Sequence, residues 1–168
     1  MANLIQAVNS QISLPFSYLS ASPEETTKLG EIVASILTKG SIVALTGPLG
    51  SGKTCLVKGI AAGLGIKDEI TSPTYTIIST YEGFIKKDCP VLVYHIDAFR
   101  LRGNDDFSAI GGEEIVFDNG ISLIEWSDLI PSFISSDSFR INIKMEKDDK
   151  RQIEIFKSEF PVPGEDIK

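Results

Sequence analysis

The chain has 168 residues, which suits one globular domain over residues 1–168 with a single sizeable core, and its composition is ordinary for a soluble protein. Its formal net charge of −7 makes it a poor stand-alone nucleic-acid binder, because affinity for a phosphate backbone comes from lysine and arginine. It has only two cysteines, no apolar run of bilayer length and no signal-peptide pattern, so we expect a cytoplasmic protein.

The N-terminal part of the chain predicts an extension, an edge strand and a helix. Residues 1–12 are weakly patterned and are expected to form a flexible extension. Ser13 to Leu19 fits an edge strand, because the proline within it cannot donate a ladder hydrogen bond. Ser22-Pro23-Glu24-Glu25 has the pattern of a capping box that begins a helix. The apolar face of that helix continues to Leu37, and Gly40 is placed to end it.

The stretch Gly47-Pro48-Leu49-Gly50-Ser51-Gly52-Lys53-Thr54 matches G-x-x-x-x-G-K-[ST], the phosphate-binding loop of nucleoside triphosphatases. An apolar strand from Ser41 to Thr46 runs into it, and apolar residues at helical spacing follow it to Leu64. In such a loop the backbone N–H groups surround phosphate oxygens, the lysine reaches the outer phosphates, and the final hydroxyl ligates magnesium. The alternative is a glycine-rich turn with a surface lysine, and the flanking strand and helix argue against it.

Two later apolar strands, Val91 to Asp97 and Ile121 to Glu125, each end on a carboxylate. Ligand sites in open parallel sheets gather at the carboxyl ends of the strands. Triphosphate hydrolysis needs magnesium, which takes one hydroxyl and one or two carboxylates from the protein. Either Asp97 or Glu125 could hold the ion while the other orients water or senses the γ-phosphate. For each acid the alternative is a carboxylate that caps a helix or faces solvent.

Two rarer side chains stand beside these acids. His95 precedes Asp97 by two residues and so shares its face of the strand, which fits either a proton-transfer residue or a packed strand histidine. Trp126 follows Glu125 and could stack on a functional group, although a position in the core or at an interface is favoured. An Asn-Lys-x-Asp element, typical of GTPases, is missing from the sequence, so adenine is the expected base.

The remaining segments complete an α/β pattern. Ile77 to Tyr81 predicts a strand, Lys86 to Pro90 a turn, and Arg100 to Asn119 one or two short helices. Alternating apolar residues from 139 to 145 and from 153 to 155 predict an antiparallel C-terminal hairpin. We therefore predict a three-layer α/β P-loop NTPase fold, with a central mostly parallel sheet, added antiparallel strands and this hairpin.

Four segments in this order resemble the TsaE family, also called YjeE: Leu45 to Thr54, Ser72-Pro73-Thr74-Tyr75-Thr76, His95 to Leu101, and Ile124-Glu125-Trp126. The resemblance runs from about Ser20 to Ile155. It implies a P-loop ATPase that binds ATP with Mg²⁺, hydrolyses it slowly and takes part in threonylcarbamoyladenosine synthesis on tRNA. It also implies the partner proteins TsaB and TsaD, through which tRNA is reached indirectly, and no membrane.

The resemblance implies roles for individual residues. Lys53, Asp97 and Glu125 would be the catalytic residues. Thr54 and Glu125 would ligate magnesium, and Asp97 would be the Walker-B-like acid near the γ-phosphate and the ion. The phosphate loop, Gly47 to Thr54, would hold the nucleotide.

Other segments also receive roles from the resemblance. Ser72 to Thr76 would be a switch-like loop that responds to the nucleotide, and Ser22 to Thr26 and Arg151 would flank the base. The family usually has an acid where Pro48 stands and a tyrosine where Phe99 stands. Pro48 removes a backbone N–H from the loop, which bears on the rate of hydrolysis more than on binding.

Two functions from other classes remain open on the sequence. One is a small-metabolite kinase, although the sequence has no arginine-rich lid insertion, which argues against a kinase. The other is a regulatory ATP-binding module whose turnover is incidental, which the proline in the loop favours.

Overall fold

The computed structural model describes residues 14–71 and 76–157, so the predicted extension at residues 1–12 lies outside the described residues. Within these ranges there are seven strands: Phe16–Ser20 (β1), Ile42–Thr46 (β2), Ile78–Ile85 (β3), Cys89–Asp97 (β4), Ile121–Glu125 (β5), Phe139–Met145 (β6) and Arg151–Lys157 (β7). They form one sheet in the order β1-β7-β6-β2-β5-β4-β3. The chain is thus a mixed α/β protein built on a single sheet.

The four central strands, β6, β2, β5 and β4, are parallel, and the strands outside them are antiparallel. β3 pairs with β4 at one edge, and β7 and β1 complete the other edge. This confirms the predicted mostly parallel centre, the edge strand near the N-terminus and the C-terminal hairpin. The hairpin lies inside the sheet, because β6 also pairs with β2. In register, Glu125 lies opposite Leu45 on one side and Asp97 on the other, so β2, β4 and β5 end at one edge.

The helices of the described chain are Pro23–Ala34 (α1), Lys53–Gly63 (α2), Asn104–Ala109 (α3) and Gly112–Val116 (α4). Short 3-10 turns follow β4 and β5. The capping box predicted for α1 is present in a shifted form. Ser22 Oγ accepts a hydrogen bond from the Glu25 N–H at 3.2 Å, and the Glu25 carboxylate accepts one from the Ala21 N–H at 2.8 Å. Two N–H groups at the start of the helix are thereby satisfied.

The predicted end of α1 was wrong. The helix ends at Ala34, although the apolar spacing continues to Leu37, and Gly40 at positive φ lies six residues after Ala34. After Ala34 the backbone tightens: the N–H groups of Ile36 and Leu37 bond to carbonyls three residues back, and Ser35 Oγ donates to Ile32 O at 2.6 Å. Leu37 stays buried, so its periodicity reflects packing and not helical hydrogen bonding.

Helices cover the sheet on both faces, because strand residues alternate between two hydrophobic clusters. Val43 and Leu45 point into the cluster beneath α1 and α2, whereas Ile42 points into the cluster beneath α3 and α4. The three-layer prediction is therefore confirmed. Among the described helices, none combines the length and the apolar character needed to span a membrane.

Helices α1 and α2 approach each other through glycines. A Cβ atom on Gly59 would lie 2.0 Å from Thr27 O, and one on Gly30 would lie 2.4 Å from Leu56 O. Both distances are far below contact distance, so the two backbones meet where no side chain intervenes.

Strand β3 is longer than predicted and forms a hairpin with β4. It continues past Tyr81 to Ile85, and the turn contains Lys86 and Lys87, both at positive φ (52° and 72°). The turn covers residues 86–88 and is shorter than the predicted turn of Lys86 to Pro90, because β4 begins at the exposed Cys89 and ends at Asp97.

Candidate functional site

A cavity of about 470 Å³ opens at the edge of the sheet where β2, β4 and β5 end. Its lining includes residues from the glycine-rich loop after β2 and from the ends of β4 and β5: Gly50, Lys53, Thr54, Asp97, Glu125 and Trp126. The predicted loop and both predicted acids thus share one cavity.

The glycine-rich loop, Gly47 to Thr54, depends on glycine for its shape. Gly47, Gly50 and Gly52 have φ values of 144°, 75° and 101°, which side-chain-bearing residues rarely adopt. A Cβ atom on Gly47 would lie 2.4 Å from the backbone oxygen of Ile143 in β6. The loop leads directly into α2, whose first N–H groups receive no side-chain cap. Such N–H groups favour a negatively charged ligand.

Lys53 is folded onto its own loop. Its Nζ donates to Gly47 O at 2.7 Å and to Pro48 O at 2.9 Å, and lies 3.8 Å from the centroid of the Trp126 ring. The side chain is buried, and burial lowers the pKa of the ammonium group, while the charges of Glu125, Asp97 and Asp128 oppose that shift. The positive charge is therefore held at the cavity wall beside two carboxylates.

Thr54, Glu125 and His95 form a continuous hydrogen-bonded chain. Thr54 Oγ1 donates to Glu125 Oε2 at 2.9 Å, and His95 Nε2 lies 2.9 Å from Glu125 Oε1. His95 and Glu125 are 1% and 2% exposed, so this carboxylate is an interior group with both oxygens engaged. The register places His95 on β4 beside β5, which brings together side chains 30 residues apart.

Asp97 has a local structural role in addition to lining the cavity. Its Oδ1 accepts a hydrogen bond from the Phe99 N–H at 3.1 Å and caps the 3-10 turn Ala98–Arg100. The ring of Phe99 lies against Trp126, with centroids 4.9 Å apart. Trp126 itself has φ of 59°, a left-handed conformation that turns its side chain toward Lys53. The helix-capping alternative considered for Asp97 and the predicted placement at the site are both observed.

One predicted part of the site is not brought together with the rest, and most of another lies outside the described residues. The cavity lining does not include Arg151, whose guanidinium donates to the backbone oxygens of Asp149 and Lys150. Residues 72–75 of the predicted switch loop lie outside the described residues. Thr76, its last residue, is exposed and adjoins Ile77, which lines the cavity.

Two contacts were missed by sequence reasoning: Lys53 with Trp126, and His95 with Glu125. The only sequence signal for the first was that Trp126 directly follows the strand-end acid. For the second it was the position of His95 two residues before the other acid.

The side chains of this site that could hold a cation would do so through oxygen atoms. Thr54, Asp97 and Glu125 supply one hydroxyl and two carboxylates, a hard donor set that suits Mg²⁺ better than a soft metal. Across residues 14–71 and 76–157 no group of three or more histidine, cysteine or acidic side chains has the arrangement of a complete metal site. A cation here would therefore need further oxygens from water or from a ligand.

The single mixed sheet, with a glycine-rich loop facing two strand-end carboxylates, defines an α/β protein with a ligand cavity at the carboxyl edge of its parallel strands. The model of the family described as "Threonylcarbamoyl adenosine biosynthesis protein TsaE" matches residues 20–153. The chain belongs to the TsaE family, as the four segments of the sequence had indicated.

Individual relatives agree with this assignment. The chain is 39% identical over 137 residues to the tRNA threonylcarbamoyladenosine biosynthesis protein TsaE of Treponema pallidum, covering 82% of this chain and 97% of the relative. It is 36% identical over 134 residues to the Bacillus subtilis protein of the same name, with 80% of each chain covered. The crystal structure of B. subtilis YdiB superposes with a TM-score of 0.65 at 32% identity, covering 87% of both chains.

Proposed function

We propose that this chain is the ATP-binding and slowly ATP-hydrolysing component of tRNA threonylcarbamoyladenosine biosynthesis. It has a P-loop NTPase fold and acts on a TsaB–TsaD complex through a nucleotide-dependent switch. The observation that carries the proposal is the hydrogen bond of 2.9 Å between Thr54 and Glu125. It joins the last residue of a phosphate-type loop to a buried strand-end acid, the pair that Mg–ATP requires.

The loop and Lys53 would bind the phosphates. The uncapped N–H groups at the start of α2 and the loop backbone provide donors, and Lys53 provides the positive charge. In the present arrangement its Nζ bonds to the carbonyls of Gly47 and Pro48. Phosphate oxygens are stronger acceptors than carbonyls, so ATP would exchange those bonds for charge-assisted ones.

Thr54 and Glu125 are the residues that would hold Mg²⁺, and their oxygens fit a hard cation. When bound, the ion would supply positive charge that neutralises the charge developing on the phosphates. Asp97 lies beside Glu125 in register and lines the same cavity. This supports the proposal that Asp97 would orient a water molecule near the γ-phosphate.

The switch would act through Ile77. Its backbone oxygen accepts a hydrogen bond of 2.9 Å from the Asp97 N–H, and its side chain lines the cavity. The segment 72–76 directly precedes this contact in the sequence. A change at the phosphates would thus be passed along one backbone hydrogen bond to the segment that a partner protein could recognise.

Reconstitution tests the proposal. The chain is combined with TsaB, TsaD, threonylcarbamoyl-AMP, tRNA and ATP, and modified nucleoside is measured with and without this chain. We expect Lys53→Ala to lower ATP affinity about tenfold or more, because a charged hydrogen-bond partner is lost. Glu125→Ala is expected to abolish turnover and modification. Lys58→Ala, an exposed change on the same helix, is the matched control and should behave like the natural chain.

Each outcome separates the candidate functions. No ATP binding by the natural chain, or full modification in its absence, would contradict the proposal. If Glu125→Ala abolishes turnover but preserves ATP binding and modification, hydrolysis is dispensable and the chain is a regulatory ATP-binding module. Phosphoryl transfer from labelled ATP to a metabolite would instead identify a kinase.

A further inference from the structure

His95 contacts the site from behind and has no part in the proposed binding of phosphates. Its Nε2 lies 2.9 Å from Oε1 of Glu125, and the two side chains are among the most buried polar groups of the described chain. It is also the only histidine in the sequence. Burial of these two polar groups would destabilise the chain if they made no hydrogen bond to each other. Packing alone therefore does not account for the pair.

The partners of the two ring nitrogens assign the position of the hydrogen. A carboxylate only accepts hydrogen bonds, so the bond to Glu125 requires a hydrogen on Nε2. The other nitrogen, Nδ1, is buried and makes no hydrogen bond with residues 14–71 or 76–157. Nε2 of the imidazole therefore carries the hydrogen that the bond to Glu125 uses.

This bond divides the two oxygens of Glu125 between two neighbours. His95 occupies Oε1, which leaves Oε2 on the side of Thr54, where it accepts the hydroxyl hydrogen at 2.9 Å. The terminal torsion of a glutamate is soft, so without a donor at Oε1 the carboxylate could rotate away from Thr54. The hydrogen bond from His95 to Oε1 thus fixes the position of Oε2 beside Thr54.

We propose that His95 is a positioning residue that holds the Glu125 carboxylate for Mg²⁺, so that it sets the affinity of the site for Mg–ATP and not for ATP alone. This inference rests on the proposed function. Partners that hydrogen-bond to metal ligands typically change metal affinity about 10- to 100-fold when they are removed. His95 is not among the residues that line the cavity.

The test compares ATP binding by calorimetry with and without Mg²⁺ in three variants at position 95. His95→Leu removes the donor. His95→Gln places an amide N–H near the position of Nε2, and His95→Asn carries the same amide one methylene short of Glu125. We expect His95→Leu and His95→Asn to weaken Mg–ATP binding about tenfold or more. Binding without Mg²⁺ should stay within about twofold, and His95→Gln should retain most of the Mg²⁺ effect.

Tyr94→Phe is the matched control. It removes a hydrogen bond of 2.7 Å to Asp118 from the neighbouring position of β4, on the opposite face of the sheet. It should leave the Mg²⁺ effect unchanged, which separates loss of the Glu125 contact from a general loss of stability. Circular dichroism checks that each variant is folded. If His95→Leu does not fold, the comparison of the two amides decides the matter alone.

The outcomes distinguish failure of the positioning role of His95 from failure of the proposed function. If the natural chain binds ATP and all three variants keep its Mg²⁺ dependence within about twofold, this inference is overturned and the proposed function stands. This inference is also overturned if His95→Gln and His95→Asn lose the Mg²⁺ dependence of ATP binding equally. If the natural chain binds no ATP under either condition, the proposed function fails and this inference fails with it.

The tautomer can be measured directly because the sequence has one histidine. Long-range ¹H–¹⁵N correlation spectra of the untagged natural chain should show one imidazole, protonated at Nε2. Glu125→Ala should shift the Nε2 resonance, since it removes the acceptor. Observation of the Nδ1–H tautomer in the natural chain would overturn the assignment on which the positioning role depends.

Discussion

Gly47 and Gly50 occupy the same loop at positive φ, but a side chain would meet different surroundings at the two positions. A Cβ atom on Gly47 would lie 2.4 Å from Ile143 O, whereas nothing lies within 4 Å of one on Gly50. Gly50→Ala should therefore cost only the backbone strain, about 1–2 kcal/mol. Gly47→Ala should add an overlap cost of about 1–3 kcal/mol, since a backbone oxygen cannot rotate away.

Urea denaturation measures this difference in the free energy of unfolding. ATP affinity should follow the same order, because a displaced Gly47 would move the carbonyl that now accepts from Lys53. Equal destabilisation by the two substitutions would show that the loop does not press against β6 as the structure has it.

The hydrogen bond between Tyr94 and Asp118 predicts a pH-dependent stability. This bond, with burial and the charge of Asp118, raises the pKa of Tyr94 to about 12, so the contribution is present below pH 10 and is lost as pH rises through about 12. The same bond, with one from the Asn119 N–H, lowers the pKa of Asp118 from its ordinary value of 3.8. That contribution is present above pH 3.8 and is lost as pH falls through the lowered value.

Tyr94→Phe should therefore lower the melting temperature at neutral pH, by about 2 °C, and by less in acid. Thermal unfolding of both chains from about pH 7 to about pH 3 gives the comparison. Tyr81→Phe, a change of the same size on the neighbouring strand, is the control. A difference that stays constant down to pH 3 would exclude the ionised Asp118 as the acceptor.

At the scale of elements, the contact between α1 and α2 sets two effects against each other. Alanine is a better helix former than glycine by about 1 kcal/mol. At Gly59, however, a Cβ would lie 2.0 Å from Thr27 O, so the two helices would have to separate. We expect the overlap to win, with Gly59→Ala destabilising the chain by about 2 kcal/mol or more.

The exposed position Ala62, on the same helix, provides the reverse comparison. Ala62→Gly should destabilise by about 1 kcal/mol through helix propensity alone. Chemical denaturation of both variants decides between the two effects. A stabilising effect of Gly59→Ala would mean that the helices lie farther apart than described.

The elements that the sequence could predict are those with short-range patterns. Ile121–Glu125 has the predicted bounds, because a fully buried parallel strand is a short, continuous apolar run. The glycine-rich loop could be predicted equally well. The end of α1 could not be predicted, since apolar spacing continued to Leu37 after the helical hydrogen bonds had stopped. Periodicity records which side chains are buried and does not report how the backbone bonds.

The same limit applies within the site. Both strand-end acids could be placed in it, because each acid is the last residue of its strand. The contact between His95 and Glu125 depends on the register of two strands that are far apart in the chain. The sequence did not specify that register, and it therefore left open which acid has its oxygens engaged.

At the scale of the whole molecule, a net charge of −7 predicts how the chain meets RNA. Backbone affinity grows with the number of phosphates that cations neutralise, so this acidic chain should not bind tRNA by itself. Fluorescence anisotropy with labelled tRNA at about 0.15 M salt should show no binding up to about 10 µM protein, with or without ATP. If the proposed function holds, tRNA should bind only when TsaB and TsaD are present. Salt-sensitive binding of the isolated chain would contradict this expectation.

Strand β4 joins the site to a remote, exposed cysteine on the surface. It has nine residues, from the exposed, free thiol of Cys89 to Asp97 in the cavity, so its two ends lie roughly 26 Å apart at ~3.3 Å per residue. A dye attached at Cys89 would leave the site untouched, and the sequence holds only one tryptophan, beside Glu125. If Cys55 is replaced, the tryptophan and a dye on Cys89 would form a donor–acceptor pair for energy-transfer measurements of partner docking.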